Sequence, residues 1–150
     1  MTTLKQTLQH DLTEAMRAHD KVRTATLRMA LTAVTTAEVA GTAHELTDDE
    51  VLKVLAKEAK KRTDAVEAYQ AAGREELAAA ETAEREVLEG YLPAQLEDAA
   101  IEALVAEAVG ETGATGMAQM GQVMKVAQAK AAGRAEGGRV AAAVRRALAS

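Results

Sequence analysis

The chain has 150 residues, with 36 alanines, one proline, two tyrosines and no cysteine, phenylalanine or tryptophan. That length can bury roughly 70% of the unfolded surface in a core of Leu, Val, Met and Ala, and the missing cysteines exclude disulfides and thiolate metal sites. The formal net charge is −5, the start MTTLKQTLQHDL has no apolar signal segment, and no apolar run approaches the ~18 residues of a membrane span.

Alanine is the best helix former, so the composition predicts an all-α protein, expected to be soluble, cytoplasmic and without a membrane partner. Thr3 and Gln6 match a capping box, and Leu4, Leu8, Leu12 and Met16 recur at helical spacing to about Ala18. Asp20 caps a second helix that runs to Gly41, a good C′ residue. Thr47 and Glu50 form a second capping-box match. It opens a helix of ~25 residues, near 38 Å long, ending at Gly73. A fourth helix is predicted from Arg74 to Tyr91, because Pro93 disfavours helix at Leu92.

Shorter helices are predicted over 98–110, 117–130 and 138–149, closed or opened by the Gly110/Gly113, Gly133 and Gly137-Gly138 positions. Helix length and charge pattern both change at Pro93. A boundary therefore falls at 92–97, giving an N-terminal domain of four long helices (1–93) and a small three-helix domain (94–150). Tyr91 and Pro93 mark the junction.

Charges also fall where the core should be. Projection of the third helix at 100° per residue places Glu58 and Arg62 in the arc of Val51, Leu55, Ala59, Val66 and Tyr69. In the second helix, Arg23 shares the arc of Leu27, Ala30 and Val34. Buried charges need partners, so Arg23, Glu58 and Arg62 are expected to form one ionic network. Such a network either fixes helix register or serves a site, and structural networks mimic sites. Lys53, Lys57, Lys60 and Lys61 occupy the opposite arc with Asp64 and Glu67. That arc is read as a solvated face, with a polyanion-binding stripe as the sharper alternative.

Catalytic patterns are missing. His10, His19 and His44 have no clustered ligands at metal spacing. No phosphate-binding glycine loop follows a strand. The single serine is Ser150, and no nucleophile stands beside a base. No catalytic residue, metal or cofactor is expected. Two tyrosines alone also argue against an aromatic platform for single-stranded RNA.

The C-terminal part has a different character. Residues 1–93 carry 12 Lys/Arg and 17 Asp/Glu, whereas residues 94–150 carry six of each. Within that second part, five acids and no base lie in 97–111. Lys125, Lys130, Arg134, Arg139, Arg145 and Arg146 follow against Glu136 alone. Val140, Val144, Ala147 and Leu148 share one arc of the last helix, while Arg139, Arg145 and Arg146 share the other. A basic amphipathic helix suits a phosphate backbone, although the helix macrodipole alone accounts for Arg145 and Arg146. In GMAQMGQVMK, Met117, Met120, Val123 and Met124 share an arc read as core, and Gly121 at its edge suggests close helix approach.

The stretches YLPAQL (91–96), QMGQVM (119–124) and GRAEGG (133–138), with KVRTATLRM (21–29) and EAKKRTDAVEAY (58–69), resemble GatB/YqeY-type proteins across essentially the whole chain. The resemblance implies a helical N-terminal domain and a three-helix domain similar to the C-terminal tail of the aminoacyl-tRNA amidotransferase B subunit. That tail is associated with holding tRNA, not with chemistry. Met120, Gly121, Val123 and Met124 would then be tail-domain packing, and Lys125, Lys130, Arg134 and Arg139 would lie near a tRNA surface. Glu97 and Glu136 stand where Ser, Thr or Asp caps would be natural. The family's glutaminase and ATP-dependent transferase parts are absent.

The expectation is a non-catalytic accessory protein that docks tRNA or the amidotransferase machinery through its basic end, with no DNA partner. The alternatives are a subunit with glutamine-dependent carbon–nitrogen ligase activity and a protein-interaction module.

Overall fold

The computed structural model describes residues 2–149, so Ser150 lies outside it. Every regular element among those residues is helical, and the chain divides into two compact units between Leu92 and Pro93. Pro93 thus opens the second unit.

In the first unit, α1 spans Leu4–Arg17, α2 Lys21–Val39, α3 Asp48–Ala71 and α4 Glu75–Glu89. Their starts follow from side-chain caps. The Thr3 and Thr47 hydroxyls each accept the amide of the residue three positions on, and Gln6 and Glu50 return the bond. Asp20 accepts the Arg23 amide at 3.0 Å. These bonds satisfy donors that a helix start otherwise leaves orphaned. Asp48 does more than open α3: its carboxylate takes the Leu4 amide at 2.9 Å, tying two helix N-termini together.

The helix ends follow from left-handed residues. α1 closes in a Schellman turn, with His19 at φ 55°, its amide on the Met16 carbonyl and the Asp20 amide on the Ala15 carbonyl. α3 closes the same way through Gly73 at φ 71°. α4 stops sooner than predicted. The Tyr91 and Leu92 amides bond the Leu88 and Glu89 carbonyls, three residues back, so the last turn tightens before Pro93. Leu8, Ala15, Leu27, Ala30, Val34, Val51, Leu55, Ala59 and Leu88 form the core, with Leu92 and Tyr91 packed against it.

In the second unit, α5 spans Asp98–Thr112, α6 Met120–Ala131 and α7 Gly137–Ala149. α5 runs through Gly110 and ends at Gly113, φ 67°. A 3-10 turn over Met117–Gln119 precedes α6. It puts Met117 out of phase with the α6 arc, so Met117 is 48% exposed rather than core. Gln119 explains the turn: its side-chain oxygen accepts the Thr115 amide at 2.7 Å and the Gly116 amide at 3.2 Å. Gly121 meets no close helix either, since a Cβ there would find nothing within 4 Å.

Ile101, Leu104, Val105, Ala108, Val123, Ala127, Ala131, Val140, Ala143, Val144 and Leu148 fill this second core, with Met120 and Met124 against it. Ala147 is exposed and Ala143 is the buried alanine of α7. The segment after Pro93 is pinned by the Leu96 amide, which donates to the Arg134 carbonyl at 2.7 Å.

Candidate nucleic-acid interface and ionic clusters

The six basic residues of the second unit divide into two sets. Lys130 on α6 lies 2.7 Å from Glu111 and 3.4 Å from Glu107, both on α5. Hydrogen bonding to Glu111 leads the effects that raise its ammonium pKa above the ordinary value. On α7, Arg139 holds Asp98 at 2.6 Å and Arg146 stands 3.8 Å from Glu102. The Arg139 hydrogen bond in turn holds the Asp98 carboxyl below its usual range. The acid-rich α5 and the base-rich α6 and α7, separate in sequence, thus meet across helix contacts.

Lys125 and Arg145 are exposed and have no carboxylate partner among the described residues. Arg134 is exposed, and its Nε donates only to the Ala131 carbonyl, at 3.4 Å. Lys125 and Lys130 share a shallow depression of about 430 Å³ with Glu111, Val126 and Ala129. Glu97 opens α5 without a side-chain cap bond. Its carboxylate stands one methylene farther out than that of Asp, the better capping side chain.

The first unit splits the expected three-residue network in two. Glu58 and Arg62 do pair within α3, Arg62 Nη1 donating to Glu58 Oε2 at 2.7 Å, and both are buried. Their third member is Glu84 of α4, 3.4 Å from Arg62 Nε. That contact is an ion pair without good hydrogen-bond geometry, because Arg62 Nε has no hydrogen-bond partner. Lys61 adds a contact to Glu58 at 3.1 Å. Burial pushes the carboxyl of Glu81 up, and the neighbouring Glu84 carboxylate adds to the effect.

Arg23 is not a member of that network. Its Nη2 donates to the Tyr91 hydroxyl at 2.9 Å and lies 3.5 Å from Asp11. The Tyr91 hydroxyl donates to Asp11 Oδ2 at 2.5 Å. The guanidinium carbon also sits 5.9 Å from the centre of the Tyr91 ring, within cation–π range. Tyr91 therefore ties the end of α4 to α1 and α2. Burial, then the bond to Asp11, keeps its phenol above the ordinary value of 10. Tyr91 was singled out in the sequence for its place beside Pro93, but nothing there identified Asp11 as its partner.

His44 is the one histidine with an ionic partner among the described residues. Its Nε2 faces Glu50 at 3.2 Å and its Nδ1 faces the Thr42 carbonyl at 3.0 Å. Glu50 also completes the Thr47 capping box. No group of three His, Asp or Glu among the described residues is placed to hold a metal ion, and no helix there is long and apolar enough to cross a membrane.

No curated protein matches the chain. Residues 5–148, which contain both helical units and both ionic clusters, match the family described as YqeY-like protein. The chain belongs to the YqeY-like protein family.

Proposed function

We propose that the chain is a non-catalytic accessory protein whose second unit, similar to the tail of the amidotransferase B subunit, docks tRNA. The observation that supports this reading is the set of exposed cations without a carboxylate among the described residues, Lys125, Arg134 and Arg145. Arg139 and Arg146 join them when a phosphate replaces Asp98 or Glu102. Both acids are mostly exposed, and exposed ion pairs contribute only about 0–1 kcal/mol. Exchange of a carboxylate for a phosphate is therefore energetically open. Cytoplasmic location and a place beside the amidotransferase machinery belong to the same proposal.

The test is tRNA binding titrated with salt. Three phosphate contacts give a slope of roughly −2 to −3 in log K against log salt. Lys125→Glu/Arg145→Glu should weaken binding and flatten that slope. Asp98→Asn/Glu102→Gln should strengthen binding by freeing Arg139 and Arg146. No binding at low salt, or indifference to both pairs of substitutions, sinks the reading.

A further inference from the structure

We propose that the outer face of α2, with the pocket at its N-terminal end, is a docking surface for an acidic amphipathic helix of a partner protein. Among the described residues, four of the five large hydrophobics that stand exposed are gathered here: Met16 at 41%, Val22 at 46%, Met29 at 47% and Val39 at 65%. On α2, Val22, Ala25, Met29, Thr32, Thr36 and Val39 fall within an arc of about 100°, opposite the buried Leu27, Ala30 and Val34. Apart from Lys21 at its N-terminal edge, the stripe carries no charge, and it extends about 25 Å, enough for four to five turns of a partner helix. A largely apolar stripe of this length on an otherwise charge-rich surface marks a face on which a partner helix can pack.

Where the stripe passes the α1–α2 corner, a pocket of about 310 Å³ opens among Met16, Lys21, Ala25 and Arg28. It has room for a large apolar anchor side chain. The charges at its rim select the partner. Lys21 and Arg28 border one edge, and neither has a carboxylate partner among the described residues. Arg28 Nη2 rests on the Met16 sulfur at 3.3 Å. Asp20, also at the rim, is engaged in capping the Arg23 amide. In a chain of net charge −5, two uncommitted cations beside an apolar stripe are complementary to carboxylates on what covers it. A second copy laid antiparallel along the stripe would set Lys21 opposite Ala40 and Arg28 opposite Ala33, supplying a carboxylate to neither.

The test places a photo-crosslinking benzoylphenylalanine at Ala25 in the full-length chain, irradiated in its native host. The captured segment is sequenced, synthesised and titrated against the purified protein. The expected result is a segment with apolar residues at three- and four-residue spacing and a net negative charge. Its affinity should fall at least tenfold with Met29→Glu and with Arg28→Glu, while circular dichroism shows both variants folded. A reciprocal Glu→Lys change in the segment should recover part of the loss in Arg28→Glu. Capture of the protein's own chain, of nucleic acid, of a basic segment or of nothing overturns the proposal. So does affinity that ignores Arg28→Glu.

Discussion

Arg62 Nη1 and Glu58 Oε2 are 2.7 Å apart, one helical turn from each other on the buried side of α3. The two members are unequal, because Glu58 has a second cation in Lys61 and Arg62 has a second anion in Glu84. Removing Arg62 strands Glu58 with an exposed lysine alone. Arg62→Leu should destabilise the first unit by about 3 kcal/mol, the lower end for breaking a buried pair. Glu58→Leu/Arg62→Leu should recover most of that loss. Urea denaturation of the single and double variants measures both. A double variant as damaged as the single one would mean the pair is not the source of the effect.

Tyr91→Phe keeps the ring over Arg23 but deletes the hydroxyl shared with Asp11. Because the site is only half-buried, water can reach the groups left behind. The expected loss is about 1 kcal/mol. Asp11→Ala should not add the same amount again when combined with it, since both remove one shared bond. Additive losses would show that the two side chains act separately.

His19 holds a left-handed conformation, φ 55°, that glycine adopts without strain. His19→Gly should raise stability by up to about 1 kcal/mol, read as a higher melting temperature with unchanged helicity. A lower melting temperature would show that the imidazole contributes more than its backbone strain costs.

His44 gives a pH dependence of known sign. The Thr42 carbonyl, then Glu50, raises its pKa above the ordinary 6.5 in the folded chain. Its contribution to stability is therefore full below 6.5 and is lost as pH rises through the higher folded value. Proton NMR titration of the ring should place the midpoint above 6.5, and Glu50→Gln should bring it down. A midpoint at or below 6.5 contradicts the hydrogen-bonded geometry.

The helix starts were legible because Thr3, Asp20 and Thr47 are local signals that act on their own next three residues. The partner of Arg23 was not. A helical projection gives the face a residue occupies and says nothing of its height. Arg23 lies six residues, or about 9 Å, along α2 from Met29, whose sulfur is what meets Arg62. Glu84 was likewise hidden among the six acids of α4, since only the packing of α3 against α4 selects one. In the second unit the contrast between the acidic 97–111 stretch and the basic end was visible. Its closure through Asp98–Arg139 and Glu111–Lys130 required the α5–α6 and α5–α7 contacts. Met117 was misread because the 3-10 turn changes the helical phase just before α6; Gly121, inside α6, stands 100° from Met120 and falls outside the buried arc.

The bond from the Leu96 amide to the Arg134 carbonyl has a consequence for how the chain can be cut and joined. The lead-in after Pro93 is fastened to the α6–α7 turn, so the second unit carries its own clasp. A fragment beginning at Pro93 retains both ends of that bond and every buried residue of its core. The expected consequence is a portable segment, one that melts cooperatively when produced from Pro93 onward or appended to an unrelated chain; a fragment without a cooperative transition would refute it.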